Sequence, residues 1–77
     1  MTDVLFPPLS KDSPQSEGVV STWFVADGQL VASDQLLAEV QVDKVAAEVP
    51  SPRAGVVHLL VAEDDAVVQG TPIARID

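Results

Sequence analysis

Cysteine is absent from this 77-residue chain, which rules out a disulfide framework, a thiolate metal site and a catalytic thiol together. Tyrosine is missing too, and one tryptophan with two phenylalanines make up the aromatics. Small aliphatic and β-branched side chains must therefore fill the core, and a hydrophobic fraction of 47% is enough for them to do so. Basic residues number four against twelve carboxylates, a formal charge of -8. A nucleic-acid binder needs clustered lysine or arginine to displace counterions, so that class is excluded. His58 is the single histidine, and any Ser/His/Asp system would have to be built around it. The chain holds no run of about 18 apolar residues that could cross a membrane. Its first residues lack the basic stretch and apolar core of a secretory signal. A cytoplasmic setting is the plain expectation, for one domain over residues 1–77 that is a monomer when isolated.

What is present reads as short strands. Val4-Leu5-Phe6 is an apolar run halted by Pro7-Pro8, because two prolines cannot continue a sheet ladder. Leu9 to Glu17 is polar, rich in turn-formers, and reads as an exposed loop. Strands are predicted over Gly18–Val25, Gln29–Val31, Leu36–Val42, Val45–Val49, Val56–Val61, Val67–Val68 and Ile73–Ile76. Between them fall the turn signals Asp27-Gly28, Ser33-Asp34, Glu63-Asp64-Asp65 and Gln69-Gly70. No segment keeps a helical period over ten or more residues, so the fold class is all-β.

The chain also repeats itself. An offset of 37 lays Gly18 on Gly55 and Val20 on Val57. An offset of 36 then lays Val25-Ala26-Asp27 on Val61-Ala62-Glu63, Val31 on Val67, Leu37-Ala38 on Ile73-Ala74 and Val40 on Ile76. Two similar half-sheets, packed face to face about an approximate two-fold axis, are expected. Carried forward from Lys44, the repeat runs past residue 77. The turn at Lys44 and the chain termini should thus occupy equivalent positions at opposite ends.

The segment from Glu39 to Pro52 carries the most information. Two alternating strands meet at Asp43-Lys44, pairing Val42 with Val45, Val40 with Ala47 and Ala38 with Val49 on one face. Gln41, Ala46, Glu39 and Glu48 take the other. A slip of one residue would exchange the buried and solvated sets, so the pattern pins the register. Glu39 and Glu48 fall directly opposite each other, a mildly destabilising like-charge pair. They read as a solvated acidic face available for docking. A lysine held between two strands at such a tip suits a chemical handle better than a structural ion pair.

This hairpin resembles the attachment hairpin of the lipoyl domains of 2-oxo acid dehydrogenase complexes. The likeness lies in Asp43-Lys44-Val45 followed by Glu48-Val49-Pro50-Ser51-Pro52. It extends to Glu17-Gly18, Trp23, Asp27-Gly28 and Asp34 upstream, and to Gly55, Glu63, Asp65, Gly70 and Ile73-Ala74 downstream. The resemblance implies a flattened barrel-sandwich hybrid of two small antiparallel sheets. It also implies lipoate joined covalently to Lys44, with Asp43 and Val45 as recognition elements beside it. The redox sulfur then belongs to the cofactor. Implied partners are a lipoate-attaching enzyme, a thiamine-dependent 2-oxo acid decarboxylase, an acyltransferase core and dihydrolipoamide dehydrogenase. The domain is implied to be a non-catalytic carrier, part of or associated with a dihydrolipoamide acyltransferase.

Two other readings stay open at this point. A biotinyl carrier of a carboxylase shares the fold, but its lysine typically sits between methionines, and the only methionine here is Met1. The other is an unmodified structural sandwich, in which Lys44 is incidental. Elsewhere, Trp23 is expected to pack, and His58 to lie on a strand surface without a metal, for want of a second histidine. Glu63-Asp64-Asp65 lacks the spacing of a calcium loop and is expected to be a turn. The family usually has glycine at the position of Asp64, which makes that turn a point of departure.

Overall fold

The computed structural model describes residues 1–13 and 15–77; of the predicted Leu9–Glu17 loop, Pro14 lies outside the described residues. Eight strands follow in order: β1 (Thr2–Leu5), β2 (Glu17–Trp23), β3 (Leu30–Val31), β4 (Leu36–Val42), β5 (Val45–Pro50), β6 (Gly55–Leu59), β7 (Ala66–Val68) and β8 (Pro72–Ile76). They form two four-stranded sheets, ordered β1-β8-β6-β3 and β5-β4-β2-β7, with every pairing antiparallel. The all-β expectation is met, and the sheets are open.

Element bounds moved by one or two residues. β2 stops at Trp23, two residues before Val25, although Val25 itself is buried. β6 stops at Leu59, yet the Leu60 N–H still donates to the Ile73 carbonyl at 2.9 Å. The first apolar run pairs as β1 with β8, starting two residues and ending one residue earlier than Val4-Leu5-Phe6 suggested. Phe6 has left the ladder and is fully buried.

The sequence repeat becomes a structural one. Replacing β1, β8, β6 and β3 by β5, β4, β2 and β7 turns one sheet order into the other. The connections obey the same rule. Gly28 N–H donates to Val57 O, and Asp64 N–H donates to Val20 O. Phe24 N–H to Leu37 O matches Leu60 N–H to Ile73 O. Even side-chain caps repeat: Asp27 Oδ1 accepts from Leu59 N–H at 2.9 Å, and Glu63 Oε2 accepts from Trp23 N–H at 2.8 Å.

Left-handed backbone recurs at matching places as well, Gly28 (φ 84°) with Asp64 (φ 67°) and Asp34 (φ 67°) with Gly70 (φ 86°). The turn at Asp64 therefore keeps the conformation that glycine would adopt, since aspartate tolerates this region better than most side chains. Asp65 Oδ2 accepts the Ala62 N–H, so two of the three carboxylates of that turn cap backbone amides.

The inward faces interdigitate into one apolar core. Phe6, Val20, Leu37, Val40, Val57, Ile73 and Ile76 are fully buried in it, and Leu9, Trp23 and Leu59 pack at its margin. Trp23 packs as expected and also donates its indole N–H to Val61 O at 3.1 Å. His58 lies half-exposed on β6, with Nε2 2.9 Å from Asp77 Oδ2. The molecule is elongated, 34 × 18 × 17 Å.

Candidate functional site

Lys44 owes its placement to the strands on either side. β4 lies inside its sheet between β5 and β2, and Ala38, Val40 and Val42 point inward and are buried. Across the hairpin the ladder runs Ala38–Val49, Glu39–Glu48, Val40–Ala47, Gln41–Ala46 and Val42–Val45, the register read from the alternation. Asp43 and Lys44 alone are left for the turn. Asp43 has φ 55°, in the left-handed region that aspartate tolerates better than most side chains.

A second brace comes from the solvent face. Gln41 Nε2 donates to the Asp43 carbonyl at 2.9 Å, holding the residue before the lysine. Lys44 itself is exposed and enters no ion pair among the described residues. No pocket opens beside it among those residues either. The amine is thus presented on a firm base with nothing enclosing it. That arrangement fits covalent attachment through Nζ.

The hairpin's foot is unusually tight. A Cβ at Gly18 would fall 2.5 Å from the Phe6 ring, 2.6 Å from the Gln41 carbonyl and 2.6 Å from Val42. Phe6 and the start of β2 therefore pack directly beneath the lysine turn. Since Thr2, at the other end of β1, pairs with Ile76, the termini point away from that turn. The expected separation of lysine and termini follows from this geometry.

One expectation needs amending. Val45 shares a face with Val42 but is 48% exposed, whereas Val42 is 3% exposed. β5 is an edge strand, and the hairpin tip overhangs the core. An apolar side chain is consequently displayed next to Lys44. Glu39 and Glu48 face each other on the solvent side, both exposed. Their counterparts in the other half are Arg75 and Asp3, an opposite-charge pair. The hairpin half alone carries two carboxylates at this spot.

Pro50-Ser51-Pro52 has a structural reason. Ser51 is fully buried, and its hydroxyl donates to Arg53 O at 2.6 Å. Its backbone bonds twice to the Asp34–Gln35 turn, at 2.8 Å each. Pro50 closes an edge strand, where a missing N–H costs little. The pattern placed Gln41 on the solvent face, Ser51 in the Pro-Ser-Pro run and Gln69 in a turn, but not their bonds, because each works through a backbone partner that alternation cannot reveal.

With this geometry in view, the comparisons with known proteins decide the family. The family model described as biotin-requiring enzyme, covering biotin and lipoyl attachment, matches residues 2–76. The chain belongs to the biotin/lipoyl family. It is 46% identical over 76 residues to the dihydrolipoyllysine-residue acetyltransferase component of the pyruvate dehydrogenase complex of Corynebacterium glutamicum, covering 97% of this chain and 11% of that protein. It is 41% identical over 78 residues to the dihydrolipoyllysine-residue succinyltransferase component of the 2-oxoglutarate dehydrogenase complex of Cupriavidus necator, covering 100% and 18% respectively. An acetyltransferase component from Staphylococcus aureus is 44% identical over 62 residues, 79% of this chain and 14% of that protein. The chain thus spans less than a fifth of the length of each of these relatives.

Proposed function

We propose that this chain is a lipoyl carrier domain, with lipoate joined in amide linkage to Lys44. The observation that carries the proposal is the two-residue turn that lifts an exposed lysine, in no ion pair among the described residues, clear of the hairpin. Attachment forms an amide bond between Nζ and the carboxyl carbon of an activated lipoyl donor; the bond from that carbon to the activating group breaks, the group leaves with the electron pair, and the amine gives up a proton. When bound, the lipoyl group supplies a disulfide that takes up two electrons and carries an acyl group. The protein's own residues present the arm and identify it. Asp43 and Val45 flank the attachment point, Glu39 and Glu48 give the hairpin an acidic flank, and Gly18, which follows the Leu9–Glu17 segment, packs against Val42 at the hairpin's foot.

The names of the relatives support lipoate over biotin, as does the absence of methionine beside Lys44. On this reading a lipoate-attaching enzyme would load Lys44, and the partners that would meet the loaded turn are a thiamine-dependent 2-oxo acid decarboxylase, an acyltransferase core and dihydrolipoamide dehydrogenase. The domain, a single unit over residues 1–77 acting in the cytoplasm, catalyses none of their reactions. It supplies proximity: a tethered substrate meets each site at an effective concentration of roughly millimolar.

The test is positional. Wild type should accept one lipoyl group from a lipoate-attaching enzyme, and Lys44→Arg none, with unchanged folding. Lys11→Arg should load normally. The double variant Asp43→Lys with Lys44→Asp keeps the composition and moves the amine by one residue, so correct loading should fail. Efficient lipoylation of that variant, or of Lys44→Arg, sinks the assignment.

A further inference from the structure

The fold carries its own control, because each half shows what the other would be without a function attached. The two halves differ most in one connection. Phe6 exchanges backbone hydrogen bonds with Gly70 and Thr71, and Ser51 does the same with Asp34 and Gln35. Phe6 and Ser51 are therefore equivalent, as are Gly18 and Gly55. Between Ser51 and Gly55 stand three residues, Pro52 to Ala54; between Phe6 and Gly18 stand eleven, Pro7 to Glu17. The additional length enters the fold beside the Phe6–Gly18–Val42 contact, directly under the lysine turn.

Loops of this length on a small sandwich need a tether to keep one shape. Gln69 provides it. Its side chain is 9% exposed, and Oε1 accepts the Ser10 N–H at 2.8 Å. Nε2 donates to Ser13 O at 3.1 Å and to Ser16 O at 3.2 Å. The amide has one orientation that satisfies all three partners, since a flip would set oxygen against two carbonyls. The equivalent residue of the other half is Ser33, which is exposed and too short to span a loop. Glutamine stands where the longer connection needs holding.

We propose that Gln69 is a positioning residue that fixes the backbone at Ser10, Ser13 and Ser16 beside the lysine turn, and so sets how well the acylating decarboxylase recognises this domain without touching it. The inference rests on the carrier reading above. A loop released from one shape presents the binding-competent form only part of the time. Apparent affinity falls by that fraction while the bound complex is unaltered.

The experiment uses Gln69→Leu and Gln69→Glu, both close in shape, the second unable to donate to either carbonyl. Amide hydrogen exchange is read at Ser10 and at Ser16, whose N–H bonds to Ser13 O rather than to Gln69. Exchange at Ser16 should rise about tenfold in both variants, and at Ser10 about tenfold in Gln69→Leu, since the carboxylate of Gln69→Glu can still accept the Ser10 N–H. Lipoylation of Lys44 should stay within about twofold of wild type, and KM for decarboxylase acylation should rise about five- to thirtyfold with kcat nearly unchanged. Ser10→Pro, which removes one donor from the loop side and leaves the core intact, should give a smaller KM increase, about two- to fivefold. It decides the matter should a Gln69 variant fail to fold. Unchanged exchange, or raised exchange with unchanged KM, overturns the inference. So does a parallel fall in kcat, lipoylation and Tm, which would make Gln69 an ordinary core residue. A wild-type domain that no decarboxylase acylates overturns the carrier reading itself, and that failure shows in wild type before any variant is made.

Discussion

Glu48→Lys should make the domain more stable and a poorer substrate at once. Glu48 stands directly opposite Glu39 on the exposed face of the hairpin. Cross-strand pairs of this kind are worth roughly 0.2–1 kcal/mol, repulsive for like charges and attractive for opposite ones. Reversing one charge changes the sign of the term, and solvent screening on an open face keeps the total near 0.5–1 kcal/mol, about 2–8 °C in Tm for a domain of this size. The other half places Asp3 opposite Arg75 in register, while the Arg75 guanidinium makes its ion pair with Asp77, Nε to Oδ1 3.7 Å. Asp3→Lys should accordingly lower Tm, by less than Glu48→Lys raises it. Thermal unfolding at low salt reads the stability, and the difference should shrink at high salt as the charges are screened.

The functional half uses lipoylated protein and a decarboxylase. Acylation KM should rise about three- to tenfold for Glu48→Lys, the scale of reversing a rim charge, and stay at the wild-type value for Asp3→Lys. A hairpin that holds two carboxylates at a cost in stability does so for a reason outside its own folding. If Glu48→Lys lowers Tm, the cross-strand repulsion is not real. If it raises Tm and leaves KM alone, the acidic pair has no role in docking.

Further outcomes follow from particular contacts. Gly18→Ala should cost about 1–3 kcal/mol, because the added carbon meets Phe6, the Gln41 carbonyl and Val42 at 2.5–2.6 Å; calorimetry checks it, and a neutral result would mean the hairpin's foot is looser than described. Ser51→Ala should cost about 1–3 kcal/mol by leaving the turn around Arg53 O without its buried donor, with lipoylation unaffected. Asp43→Asn keeps a side chain that tolerates the left-handed conformation and removes only the charge, so stability should hold while loading by the attaching enzyme falls; equal loading would leave Asp43 a turn residue alone.

Much of this was legible in the chain because it depends on period and turn chemistry. Alternation from Ala38 to Val49 around Asp43-Lys44 set the hairpin register residue by residue, since any slip exposes Val40 and Val42. The offsets of 36 and 37 foretold the exchange of β1, β8, β6 and β3 for β5, β4, β2 and β7. Edges were harder. Val45 has an inward-facing parity, yet the overhang of an edge strand leaves it half exposed, and parity carries no information about where a core ends. The bonds of Gln69 and Gln41 were invisible for a related reason: an amide that serves backbone atoms dozens of residues away, or two residues along a turn, has no spacing signature of its own. The proposed attachment at Lys44 was suggested by flanking residues, and the turn geometry gives that suggestion a physical form.

The most direct measurement is a tryptic mass map of the domain incubated with lipoate, biotin and both attaching enzymes together. Trypsin cuts after free Lys44 but not after an acylated one. The account predicts a single lipoyl increment, carried on an uncut peptide spanning residues 12–53, and no biotin. A biotinyl increment, a lipoyl group on Lys11, or complete cleavage after Lys44 with no increment would contradict it.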